Sequence, residues 1–228
     1  MGYNFILGPV DTDSISICKP DMSPFSTEEQ QALIDEINAM MPKQIQYAHD
    51  GYFKRCVAIR AKNYILYDGK KIKVKGSGLK GSVKSEALKE FTNRVIENLA
   101  KIENKEEMYE SLQSIYMKYV HEIMNVTDIS RFAARKTITN KVFESERLNE
   151  TKVVDALIGS SYVEGDRIRV FYLSNDNLCL VENFTGDYNK PRLLKNLFDT
   201  ISIFDTVLPV KELFTNYALI KNFKKLEQ

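Results

Sequence analysis

The spacing of apolar residues changes character along this chain, and that change constrains the fold more than any other feature. From Val57 to Val74 apolar residues follow the two-residue period of a β-strand, and Asp68-Gly69 stands between the runs Tyr64–Tyr67 and Lys70–Val74. An Asp-Gly pair so placed is a strong hairpin signal, because glycine tolerates the positive φ of a tight turn. The small, glycine-rich stretch Gly76–Ser82 follows, and reads as a linker or as backbone lying close to something. Beyond it Leu88, Phe91, Val95 and Leu99 recur at helical spacing, as do Met108, Leu112, Ile115, Tyr119 and Ile123. These positions are expected in a core. The fold class is therefore α+β, with antiparallel hairpins and a packed helix in residues 1–77 and a mainly helical part with a small terminal β element in residues 78–228.

The N-terminal part opens with a second hairpin signal. Tyr3–Leu7 and Ser14–Cys18 are short strand-like runs flanking a tip that carries Asp11, Thr12 and Asp13. Alternation along an extended strand puts Asp11 and Asp13 on the same side. Two neighbouring carboxylates suit a divalent cation, and they equally suit a polar turn, where Asp is common for other reasons. Both readings stay open on these residues alone. Ser26 and Glu29 then form a capping box for a helix whose apolar face is Leu33, Ile37, Met40 and Met41, ending before Pro42.

In the second part, Asp128–Thr139 mixes Arg131, Arg135 and Lys136 with isolated apolar residues, as a phosphate-contacting stretch or a solvated connector would. A helix is expected over Glu150–Leu157, strands over residues 162–172 and 178–182, a helix over Pro191–Phe198, and a basic end at Lys221–Lys225.

Charge distribution says more than its total. The net charge is +1, yet Lys54–Lys84 holds ten basic residues against the single acid Asp68. Such a block, interleaved with Tyr64, Tyr67 and glycines, suits a phosphate backbone, although charge runs are more often a solvated face. No apolar run is long enough to span a bilayer, so a membrane role is not expected and a cytoplasmic location is. Cys18, Cys56 and Cys179 lack the spacing of a zinc site or a disulfide framework, and His49 and His121 stand alone.

Taken in order, Asp11-Thr12-Asp13-Ser14, then Lys62-Asn63-Tyr64 on a basic strand, then Lys75-Gly76 ahead of a helix, then Gly165-Asp166-Arg167-Ile168, resemble the C-terminal third of a family B DNA polymerase. The bacteriophage members are the most similar in pattern. The resemblance implies a partial palm followed by a duplex-gripping thumb. It implies that Asp13, supported by Asp11, is a catalytic carboxylate and a ligand of the two Mg²⁺ ions of nucleotidyl transfer. It implies that Lys62 and Tyr64 lie along the primer-template, with Arg60, Lys73, Lys75 and Gly76 as further DNA contacts. The partners implied are primer-template DNA and a dNTP.

The pattern departs from the family in two ways. Pro9-Val10 stands where the family usually has Tyr-Gly, which removes a backbone donor from the hairpin. The family's exonuclease domain, its other palm aspartate and its fingers lysine lie upstream of this stretch, so the metal site is expected to be completed by an N-terminal polymerase fragment, and the chain alone is not expected to polymerise. A host cytoplasm is implied if the source is viral, and a sliding clamp is a candidate partner for the basic end. The competing reading is a non-catalytic, duplex-binding module. Phosphatases of the haloacid dehalogenase type and nucleotide-sugar glycosyltransferases also use Asp-x-Asp, but neither explains Lys62–Gly76.

Overall fold

The computed structural model describes residues 5–11, 13–81, 85–139 and 148–219; side chains are described at all of these except 80–81 and 148–150. The α+β expectation is met, with antiparallel sheets and helices throughout. Two compact units divide at Gly76.

In the first unit β1 (Ile6–Val10) pairs antiparallel with β2 (Ile15–Cys18). The first strand thus runs through Pro9-Val10 and right up to Asp11, where residues 3–7 were expected; Tyr3 and Asn4 lie outside the described residues. The register is Ile6 to Cys18, Leu7 to Ile17 and Val10 to Ile15, so Gly8 and Pro9 together face Ser16. This is a β-bulge, a place where a proline costs no ladder hydrogen bond. The expected distortion at Pro9 is absorbed there.

Helix α1 (Thr27–Met40) starts as its sequence dictates: Glu29 N–H donates to Ser26 Oγ at 3.2 Å and Ser26 N–H donates to Glu29 Oε2 at 2.7 Å. Its cap at the other end is Met41, ahead of Pro42. The apolar stripe does not form a core, however: no residue of α1 is buried, and Met40 is largely exposed.

A three-stranded antiparallel sheet follows, in the order β3 (Arg55–Arg60), β4 (Asn63–Tyr67), β5 (Ile72–Lys75). The Asp68-Gly69 turn forms as expected, with φ +101° at Gly69 and Asp68 Oδ1 accepting from the N–H groups of Lys70 and Lys71, both at 2.7 Å. Ile59, Tyr64, Ile65 and Leu66 are the buried side chains of this unit among the described residues.

The second unit begins with α2 (Ser77–Gly81), a short helix where the sequence suggested a linker. Helix α3 (Glu86–Lys101), capped by Ser85, buries Leu88, Phe91, Val95 and Leu99, and packs on α4 (Lys105–Met124). On α4 the buried stripe is wider than the expected one: Tyr116 and Val120 join Leu112, Tyr119 and Ile123, while Met108 and Ile115 are only half-buried. Phe91 meets the Tyr119 ring edge-on at 5.2 Å and lies 6.2 Å from Tyr116, which fixes the α3–α4 packing.

Arg131, in the 3₁₀ turn Ile129–Phe132, pairs with Glu90 at 2.6 Å and Glu122 at 2.5 Å. The sheet that follows has the order β6 (Ala134–Thr137), β7 (Arg167–Tyr172), β8 (Leu178–Leu180), and α5 (Leu148–Leu157) covers its inner face through Val153 and Leu157 against Ile168, Val170 and Leu180. Helix α6 (Lys190–Ile201), with Pro191 in its first turn, packs on α3 and α4, and the short α7 (Val210–Leu213) and a 3₁₀ turn at Tyr217–Leu219 close the described part. The basic end Lys221–Lys225 lies outside the described residues.

Candidate nucleic-acid interface

All the candidate site residues fall in the first unit, and its two β-ribbons decide their placement. Asp11 N–H donates to the Ser14 carbonyl at 2.9 Å, which closes the tip of the β1–β2 hairpin around residues 11–14. Strand alternation therefore does not govern Asp11 and Asp13: they sit in a turn, Asp11 half-buried and Asp13 exposed, and Thr12 lies outside the described residues. Among the described residues no group of three or more His, Cys, Asp or Glu side chains stands close enough to hold a metal ion.

Asp11 is not a bare carboxylate. Lys62 Nζ lies 3.8 Å from its Oδ1, joining the acidic tip to the turn between β3 and β4. That turn is tight, because Arg60 pairs directly with Asn63 and only Ala61 and Lys62 lie between. Lys62 adopts φ +61°, a left-handed conformation that costs a residue with a Cβ about 1 kcal/mol or more. Asn63 Nδ2 donates to the Ala61 carbonyl at 2.9 Å, holding the turn from inside.

Gly76 completes the arrangement from the far strand. Its φ is +99°, and a Cβ there would fall 2.3 Å from Asn63 Oδ1 and 2.4 Å from the Lys62 carbonyl. Only glycine fits. The close approach suggested by the sequence of Gly76–Ser82 thus has an identity, the Lys62–Asn63 backbone and amide. Asn63, read only as the variable position of Lys-x-Tyr, is the residue this clamp closes on; nothing in the sequence pattern marks it.

Cross-strand register arranges the rest. Ala58, Tyr64 and Lys75 form one row across the sheet, and Cys56, Leu66 and Lys73 form the next row on the same face. Tyr64 is only 6% exposed, so it serves as the packed base of that row, while Lys73 and Lys75 reach solvent. Lys73 is already engaged, donating to Asp50 Oδ2 at 3.1 Å and lying 5.9 Å from the Phe53 ring centroid. That bond is the first cause holding the Asp50 carboxyl below the usual Asp range. Arg60 is exposed at the end of β3.

The arrangement places an acidic tip and a lysine-bearing ribbon side by side. A phosphate chain crossing the Lys73–Lys75 face gains charge-assisted contacts without reading bases. The oxygen donors of Asp13 and Asp11 have the chemistry of a Mg²⁺ site but supply only part of a coordination shell. In the second unit Arg135 pairs across the sheet with Arg169, on the face opposite the buried one, and Glu86 approaches the Arg135 guanidinium at 3.9 Å as a counter-charge. Arg131, by contrast, is held by Glu90 and Glu122 and is structural.

No protein-family model and no curated protein sequence matches this chain. Solved structures do match. One is the family B DNA polymerase from the hyperthermophilic archaeon Pyrobaculum calidifontis, which aligns with a TM-score of 0.67 at 16% identity. The alignment covers 90% of this chain and 27% of that polymerase. At this identity the likeness shows the fold: the chain is built like part of a family B polymerase and spans about a quarter of the length of that relative.

Proposed function

We propose that this chain is the C-terminal part of a DNA-directed DNA polymerase, contributing a metal-binding aspartate and primer-template contacts to nucleotidyl transfer during replication. The observation that carries the reading is the acidic hairpin tip joined to the Lys62 turn within a fold that follows a family B polymerase over 90% of the chain. Residues 1–77 act as part of the palm and residues 78–228 as the thumb.

Asp13 is the proposed Mg²⁺ ligand, with Asp11 beside it. When bound, a pair of such ions stabilises the charge that gathers on the attacking and leaving oxygens. The chain's own groups do the remaining work. Lys62, Lys75 and Arg60 neutralise the backbone of the primer-template, and Gly76 holds the Lys62 turn in shape. The remaining carboxylate ligands and the dNTP-contacting groups come from a partner polypeptide that carries the rest of the polymerase, so the chain alone binds duplex DNA and does not extend primers.

Binding of a primed duplex across a salt series tests this. The affinity falls linearly on logarithmic axes, and replacing Lys62 or Lys75 with alanine lowers the slope by about one unit each. Salt-independent binding, or none, overturns the reading. A non-catalytic duplex-binding module is the second reading, favoured by the engagement of Asp11 with Lys62. It predicts that Asp13→Ala changes nothing in any reconstituted reaction.

A further inference from the structure

Strands β6, β7 and β8 contain four basic residues, Arg135, Lys136, Arg167 and Arg169, and no acidic one. Ile168, Val170 and Leu180 belong to the core under α5, so alternation places Arg167 and Arg169, with their cross-strand partners Thr137 and Arg135, on the opposite face. There Arg135 stands directly across from Arg169. Like charges facing each other across a ladder destabilise a sheet, and little in the fold offsets this pair. The Glu86 carboxylate comes only to 3.9 Å from Arg135, with the Arg135 side chain 75% exposed and that of Glu86 60%. Among the described residues no carboxylate forms an ion pair with Arg167 or Arg169. Asp128 feels the Arg169 charge, but its oxygens are taken by Ser130: Oδ1 accepts the N–H at 2.8 Å and Oδ2 the hydroxyl at 2.7 Å.

The geometry of the face fits a chain of phosphates. Arg169 Nη2 donates to the Ser130 carbonyl, which fixes the guanidinium in place. Opposed side chains have Cβ atoms only ~4.5–5.5 Å apart, so the guanidinium groups of Arg135 and Arg169 can close on one phosphate. Arg167 lies two residues along the strand, about 6.6 Å away at ~3.3 Å per residue. A nucleic-acid strand presents a phosphate every ~3.4 Å of helix axis, so a backbone running along β7 brings successive phosphates over both rows. The planar fork of a guanidinium matches phosphate oxygens in a way that an ammonium does not. Bases find nothing here to stack on: Phe171, next on the same face, is 3% exposed and meets Phe184 edge-on at 5.5 Å. A duplex, which offers its backbone, therefore fits better than a splayed single strand. We infer that Arg135, Arg167 and Arg169 form a second phosphate-binding surface, built on the second unit and taking the backbone of duplex nucleic acid. The face stands on its own charge, and its part in primer-template binding rests on the polymerase reading above.

The test is duplex DNA binding by the full chain across a salt series, for wild type, Arg135→Gln, Arg167→Gln and the double variant, with the melting temperature of each. The slope is expected to fall by about one unit for each single variant and about two for the double. The melting temperature stays at the wild-type value or rises, because Arg135→Gln relieves the repulsion with Arg169. Glu86→Gln strengthens binding by about two-fold at low salt, and Lys195→Ala, on α6, leaves the slope unchanged. An unchanged slope in the double variant, or a slope that falls only where the melting temperature falls with it, overturns the inference. So does polyglutamate binding that depends on Arg135 and Arg167 while duplex binding does not, which assigns the face to an acidic protein. Lys62→Ala and Lys75→Ala are measured beside them. If their slopes fall and those of the arginine variants do not, the arginine face is wrong and the first-unit reading stands; if only the arginine slopes fall, this inference stands and the first-unit contacts fail.

Discussion

The Lys62 ammonium stands 3.8 Å from the Asp11 carboxylate, linking the tip of the β1–β2 hairpin to the turn between β3 and β4. The pair is largely solvent-exposed, so its direct contribution to stability is at most about 1 kcal/mol. Its effect is on where charge is placed. Asp11 partly neutralises the lysine that we propose meets a phosphate. Asp11→Asn is predicted to raise affinity for duplex DNA by about two- to five-fold at low salt in the presence of EDTA, a change that ~0.5–1 kcal/mol produces. Unchanged or weaker binding means that the pair does not compete with DNA.

Gly76→Ala tests the clamp on that turn. The new Cβ meets Asn63 Oδ1 and the Lys62 carbonyl at a φ of +99°, with backbone on one side and a hydrogen-bonded amide on the other. The expected loss is about 1–3 kcal/mol or more from local strain, read by chemical denaturation, together with weaker duplex binding. Wild-type stability and binding contradict the geometry.

How much of this was legible in the sequence depends on whether a signal was local. The capping box at Ser26 and Glu29, the Asp68-Gly69 turn and the α3 stripe from Leu88 to Leu99 are local, and each forms as its residues dictate. Strand β6 is four residues with Arg135 and Lys136 inside it, and only pairing with β7 defines it, so the pattern of Asp128–Thr139 reads as a connector. The acidic tip was visible as Asp-x-Asp, but the strand alternation used to read it does not extend to Asp11 and Asp13, which lie between the end of β1 at Val10 and the start of β2 at Ile15. Neither the Asp11–Lys62 pair nor the Asp50–Lys73 pair leaves a trace in sequence spacing, since each joins segments that meet only through tertiary folding. The stripe of α1 and the apolar residues of β1 and β2 look like core, yet none of them is fully buried, because amphipathic patterning reports a face to be covered and not what covers it.

The two exposed lysines of β5 are not equivalent. Lys73 is tied to Asp50, whereas Lys75 lies beside Tyr64 in the adjoining row. Lys75→Ala is predicted to lower the salt slope of duplex binding by about one unit, and Lys73→Ala by clearly less. Asp50→Asn is expected to strengthen binding by releasing Lys73. Equal slopes for the two lysine variants contradict the assignment.

Glu90 ties α3 to the Ile129–Phe132 turn, and its hydrogen bond from Arg94, with Arg131 nearby, holds its carboxyl below the usual Glu range against the opposing effect of burial. A depressed folded-state pKa stabilises the fold above the unfolded value of 4.5, and that contribution is lost as pH falls through the folded value. Because Glu90 is 42% exposed, solvent screens the effect. Glu90→Gln is predicted to lower the melting temperature by about 1–4 °C at pH 7, with the difference from wild type closing below pH 4.5. A difference that persists or grows in acid contradicts the ion-pair origin.

Primer extension addresses the central claim most directly. The reaction contains a primed template, four dNTPs and Mg²⁺, and compares this chain alone, the chain with the polypeptide carrying the remaining polymerase segments, and the same pair with Asp13→Ala. Extension is predicted for the wild-type pair only, with Asp13→Ala reducing it by at least ~10²–10³-fold, as expected when a charge-stabilising group is removed from a catalytic site. Undiminished extension by the Asp13→Ala pair contradicts the account.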